Sequence, residues 1–168
     1  MVVDSGEAGL SRTDVRPVRW LEGIETLAWR AFIDANYRLM DTLNRELQVD
    51  RGLTMAEYRI LVKLSEAPEG SLRMSLLADG VLSSRSRLTH QIRRMEEQQL
   101  VVRDTCSDDG RGVLAVITDQ GRATLAAAAP AHVDAVRRYM IDLLTVDELE
   151  TIAEVFEKVD ARLVHQAL

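Results

Sequence analysis

From Ser83 to Met95 the chain carries four arginines, Arg85, Arg87, Arg93 and Arg94, and not one acid. Ser84 (or Ser83) stands ahead of them as a helix N-cap, and Arg85 to Gln98 continue at helical spacing. At about 100° per residue, Leu88, Ile92 and Met95 fall on one stripe. The opposite face carries Ser86, His90, Arg93 and Glu97, flanked by Arg87, Thr89 and Arg94. Such a helix is obliged to bury the first stripe and expose the second. A solvated helix face ordinarily mixes charge signs. A face of arginines, hydroxyls and a histidine with no acid before its last turn therefore selects a polyanion as its partner.

The surroundings narrow the fold. Upstream, Met74 to about Asp79 reads as a short helix ending near Gly80, so the two helices and their turn form a helix-turn-helix pattern. Downstream, Leu100 to Asp104 and Val113 to Ile117 read as the strands of a two-stranded hairpin with its tip at Ser107 to Gly112. Thr54 and Glu57 make a capping box that opens a helix over Met55 to Glu66, burying Tyr58, Leu61 and Leu64. Ala67 to Gly70 is a turn, followed by a brief extended piece at Leu72 and Arg73.

Long helices flank this centre. Arg19 to Gln48 repeats apolar residues every three or four positions, from Ile24 and Leu27 to Leu43 and Leu47, and stops near Gly52. Thr118 caps a helix that contains Pro130, whose ring cannot donate to the Ala126 carbonyl and should kink or break it. Its second half brings Val133, Val136, Met140 and Leu143 to one side. Thr145 and Glu148 form a second capping box ahead of Leu149, Ile152, Phe156, Val159 and Leu163, spaced three, four, three, four. That spacing belongs to intertwined helices and makes these residues dimerisation candidates.

The expected class is mainly α with a small β-hairpin wing. Residues 1–16 form a tail, 17–52 an N-terminal dimerisation helix, 53–118 the reader domain and 119–168 C-terminal dimerisation helices. The net charge of −6 does not oppose a polyanionic partner, because the acids lie elsewhere: Val113 to Leu168 holds nine acids against five bases. No apolar run reaches the roughly 18 residues of a membrane span. One cysteine, Cys106, excludes an internal disulfide framework and fits a reducing, cytoplasmic setting. Three scattered histidines and that cysteine lack metal-ligand spacing. No nucleophile motif, phosphate loop or dinucleotide fingerprint is present, so neither catalysis nor a cofactor is expected.

These residues, taken together, resemble the MarR family of winged helix-turn-helix regulators from about Trp20 to Leu163. DGRGVLAVITDQG, Asp109 to Gly121, resembles the family wing. SSRSRLTHQIRRMEEQQLVVR, Ser83 to Arg103, resembles its recognition helix and following strand, and LTMAEYRILVKL, Leu53 to Leu64, its second helix. The resemblance implies a sequence-specific DNA-binding homodimer on a pseudo-palindromic operator, with Arg111 reaching into the minor groove and Asp109 orienting it. A narrow A·T-rich minor groove does attract arginine. Many members carry a basic residue where this chain has Gly110, which weakens the wing charge. The resemblance further implies a pocket for a small aromatic or phenolic ligand, for which Trp29, Tyr37 and Tyr58 are candidates beside the alternative of plain packing. From a different class, the other reading is a dimeric helical interaction module that no longer binds DNA. The basic stripe and Arg111 oppose it.

Overall fold

The computed structural model describes residues 18–105 and 112–164. Its elements are α1 (Ile24–Arg51), α2 (Met55–Glu66), β1 (Ser71–Arg73), α3 (Met74–Gly80), α4 (Arg85–Glu97), β2 (Val101–Thr105), β3 (Val113–Ile117), α5 (Asp119–Tyr139) and α6 (Val146–Val164). Two 3₁₀ turns, Pro68–Gly70 and Ile141–Leu143, complete the order. The chain divides into two compact units, Met1–Ala35 and Asn36–Leu168, and α1 contributes residues to both. Among the described residues no helix is long and apolar enough to cross a membrane.

In the first unit Arg19 pairs with Glu25 at 2.6 Å, and the Trp29 ring sits 6.2 Å from that of Phe32. Trp20, Leu21, Ile24, Leu27 and Trp29 are all exposed.

The second unit holds the buried core. Leu47 of α1, Ile60, Leu61 and Leu64 of α2, Leu77 of α3, Leu88, Ile92 and Met95 of α4, and Val101, Ala115 and Ile117 of the strands close on one another. The capping box is formed as the sequence requires: Thr54 Oγ1 accepts from the Glu57 amide, and the Glu57 carboxylate accepts from the Thr54 amide. The extended piece at Ser71–Arg73 is more than a connector. It pairs antiparallel with β3, so the expected two-stranded hairpin is a three-stranded sheet in the order β1-β3-β2. Within the hairpin Val101 faces Ile117 and Thr105 faces Val113.

Both helices of the helix-turn-helix end in the same device. Leu82 (φ +53°) and Gln99 (φ +59°) take the left-handed conformation usually given to glycine. Ser83 then donates to the Ala78 carbonyl and Leu82 to that of Asp79, while Leu100 donates to Met95 and Gln99 to Glu96. Helix α3 ends at Gly80, where the sequence placed its end, and the left-handed residue that follows is Leu82.

Helix α5 corrects another expectation. It runs unbroken from Asp119 to Tyr139 with Pro130 inside it. Pro130 and Ala126 both lie on the exposed side, where a carbonyl that loses its intrahelical donor faces solvent. The helix stops instead at Met140 (φ −142°), so Met140 and Leu143 do not continue the face of Val136 on one helix. In α6 no residue is buried.

Between α5 and α2 the His132 ring lies 4.5 Å from that of Tyr58. Its Nδ1 is buried without a hydrogen-bond partner among the described residues. Burial pushes the imidazole below its ordinary pKa. A histidine lowered in the folded state stabilises fully above its unfolded value of about 6.5, and that contribution is lost as the pH falls from there through the folded value. The melting temperature should therefore drop below about pH 6.5, and His132→Phe, which keeps a ring on Tyr58, should flatten that segment of the curve. An unaltered slope in the variant would assign the proton uptake elsewhere.

Candidate nucleic-acid interface

Helix α4 is built from one apolar stripe. Leu88, Ile92 and Met95 are completely inaccessible to solvent. That burial turns Ser84, Arg85, Ser86, Arg87, Thr89, His90, Arg93 and Arg94 outward, and every one of them is exposed. Two of the hydroxyls also serve the helix itself. Ser84 Oγ accepts from the Arg87 amide at 3.3 Å as the N-cap, and Thr89 Oγ1 donates to the Arg85 carbonyl at 2.8 Å.

The charges run against the helix. The first turn of α4 contains no acid and begins with Arg85 and Arg87. Cations at that end oppose the partial positive charge of the macrodipole, where Asp or Glu would stabilise. Among the described residues Arg85, Arg87 and Arg93 make no ion pair that would offset this. Arg94 differs, because its Nε lies 3.3 Å from Glu57 Oε1.

Open grooves flank the helix on two sides. One, of about 410 Å³, is lined by Arg73 and Ser75 together with Arg85, Thr89 and Gly112. The other, of about 670 Å³, is lined by Thr54 and Glu57 together with Ser86, Arg87, His90 and Arg94. Arg59, exposed on α2, joins Arg87 and Gln91 in a third hollow. Sequence reading missed Arg59, Arg73 and Ser75. The one available signal was the position of Arg59 between buried Tyr58 and Ile60, which turns a helical side chain outward.

Asp109, Arg111 and Cys106 lie outside the described residues. Strands β2 and β3 are paired up to Thr105 and Val113, which places Gly112 at the edge of the groove beside Arg85. Trp29 is 54% and Tyr37 72% exposed, whereas Tyr58 is a core residue against His132. Of the dimerisation candidates, Val136, Met140, Leu149 and Ile152 are half-buried, and Leu143, Phe156, Val159 and Leu163 are exposed. Among the described residues no group of three His, Cys, Asp or Glu side chains could hold a metal ion.

A helix-turn-helix whose second helix presents a basic face beside a β-hairpin defines a winged helix-turn-helix protein. The MarR family model matches residues 53–113. AbsC of Streptomyces coelicolor, a MarR family transcriptional regulator, is 42% identical, with a TM-score of 0.85 over 88% of this chain and 99% of its own. Sco3205 of the same organism, a MarR family regulator solved in complex with DNA, is 41% identical, with a TM-score of 0.83 over 88% of this chain and 91% of its own. The transcriptional regulator MhqR of Bacillus subtilis is 25% identical over 119 residues, 71% of this chain and 79% of that protein. The chain belongs to the MarR family of transcriptional regulators.

Proposed function

We propose that the protein binds duplex DNA as a homodimer. Each α4 enters a major groove with Ser86, Arg87, Thr89, His90 and Arg93 directed at base edges and phosphates, and Arg85 lies toward the wing. The wing residue Arg111, oriented by Asp109, reaches the adjacent minor groove. Two copies then read a pseudo-palindrome with half-sites about one helical turn apart. The observation that carries this reading is the outer face of α4, three arginines that pair with no acid among the described residues, two of them at the end of the helix that disfavours cations. The DNA complex of Sco3205 supports it.

The outer seam of α6 supports the dimer. A helix of 19 residues with an apolar seam and no fully buried residue leaves much of that seam uncovered by its own chain. A second copy covering Leu149, Ile152, Phe156 and Val159 supplies the missing burial. Sedimentation should give a dimer at micromolar concentration, and Phe156→Asp should shift it to monomer or unfold it, because obligate dimers often lack a stable monomer. A wild type that sediments as a monomer contradicts the arrangement.

A small aromatic or phenolic ligand would act by favouring one dimer state over another with a different spacing of the two α4 helices. Trp29 and Tyr37 offer exposed rings for it, and Tyr58 does not. The test of the central reading is a mobility shift on the DNA immediately upstream of the protein's own coding sequence at two salt concentrations. Binding should be tight at low salt and weaken steeply with added salt. Absence of any shift at low salt overturns it.

A further inference from the structure

Glu57 is the one charged residue buried in the described core, at 2% exposed. Its Oε2 accepts from the Thr54 amide at 2.8 Å and the Thr54 hydroxyl at 2.9 Å, which serves the cap of α2. Its Oε1 serves another helix, meeting Arg94 Nε of α4 at 3.3 Å. On the other side of the same turn, Asn44 Oδ1 of α1 accepts from the Met55 amide at 2.9 Å. The start of α2 is thus tied to α1 and to α4 by polar contacts that each replace a lost hydration shell.

We propose that Arg94 is a positioning residue and not a DNA contact: with Glu57 it forms a clamp that fixes the pose of α4 and so sets discrimination between operator and other DNA. The clamp presupposes the DNA-binding reading above. An arginine drawn away to a phosphate would leave the buried Glu57 carboxylate unpaired on the floor of the groove that DNA approaches, which is costly for a desolvated charge. Arg94 also stands in the last turn of α4, whereas the residues of a recognition helix that reach base edges lie toward its N-terminus. Hydrogen bonds to base edges depend steeply on distance and angle. Attraction to phosphates does not. A small rotation of α4 would therefore penalise the operator far more than random sequence.

The experiment removes both charges at once, so that net charge is unchanged. Wild type, Arg94→Lys, Glu57→Gln and the double variant Glu57→Gln/Arg94→Gln are titrated with the upstream fragment and a scrambled fragment of the same composition across a salt series. Glutamine at position 57 can still accept from Thr54 and keep the cap. The double variant should lose preference for the upstream fragment by about tenfold or more while its log–log salt slope stays at the wild-type value. Arg94→Lys, which keeps charge without the planar fork, should recover part of the preference. Glu57→Gln alone frees Arg94, so its binding to scrambled DNA should tighten and its slope steepen by roughly 0.9. A double variant whose slope falls by roughly 0.9, with equal loss on both fragments, makes Arg94 a phosphate contact and overturns the clamp. So does a double variant with unchanged preference. Failure of the wild type to prefer the upstream fragment would instead remove the DNA-binding reading itself. Should the double variant not fold, the paired slopes of Arg94→Lys and Glu57→Gln decide alone: a wild-type slope in both excludes the clamp.

Discussion

Gly121→Ala should destabilise the protein by about 3 kcal/mol or more, read as a large fall in melting temperature. Gly121 lies in the first turn of α5, where Thr118 caps the helix by accepting from the Gly121 amide at 2.9 Å. The same Thr118 hydroxyl lies 2.7 Å from the Gln99 carbonyl and 3.1 Å from that of Leu100. The Thr118 amide also donates to Leu100 O at 3.1 Å. One threonine thus clasps the start of α5 onto the turn that joins α4 to β2. The clasp draws the helix so close that a Cβ at position 121 would overlap the Leu100 carbonyl oxygen and stand 2.9 Å from Ile117 Cγ1. A backbone oxygen already holding Thr118 cannot step aside. Overpacking commonly costs about 1–3 kcal/mol, and a backbone clash without relief belongs at or above the top of that range. Gly52→Ala is the control. Nothing lies within 4 Å of its added methyl, so only the left-handed backbone (φ +67°) is strained, at about 1–2 kcal/mol. Similar losses at the two positions would mean that the clasp is looser than the geometry indicates.

Gly121 shows what a sequence can and cannot say. A glycine early in a helix is visible, but the carbonyl it accommodates lies 21 positions upstream, and no periodicity points to it. Local rules found what is local. The Ser84 and Thr54 caps, the stripe of Leu88, Ile92 and Met95, and the return strand Val113–Ile117 all stand where spacing put them. Three residues at Ser71–Arg73 are too few to carry an alternation, so the partner strand β3 was needed to reveal a third strand. Pro130 removes one hydrogen bond, and packing of Ala128 and Ala135 into the interior keeps α5 continuous in spite of it.

Arg94 is the instructive member of the candidate site. From sequence its angle on α4 groups it with the other arginines. Glu57 is fully explained by its capping box. Only the fold brings the second carboxylate oxygen to a guanidinium 37 positions away, and the burial of Glu57 makes that pair more than a surface contact. Among the described residues, the arginines of α4 that make no ion pair are Arg85, Arg87 and Arg93.

Replacing these three with alanine should therefore separate stability from binding in opposite directions. Arg85 and Arg87 stand in the first turn of α4, where a cation costs about 0.3–1 kcal/mol against the macrodipole. Alanine is also the better helix former. None of the three makes an ion pair among the described residues, and the core stripe beneath them is untouched. The melting temperature of Arg85→Ala/Arg87→Ala/Arg93→Ala should thus stay level or rise. DNA binding should collapse. Each arginine that reaches a base edge or phosphate contributes roughly 1–3 kcal/mol, so three together should weaken the upstream fragment by at least about 3 kcal/mol, two orders of magnitude. If all three neutralise phosphates, the log–log salt slope should fall by roughly 2–3 units. If Arg87 reads a base, the slope falls less, and the preference over scrambled DNA shrinks with it. A triple variant that binds as tightly as wild type would show that this face of α4 does not meet DNA. A triple variant that unfolds would show that the arginines hold the helix in place through contacts absent from its exposed face.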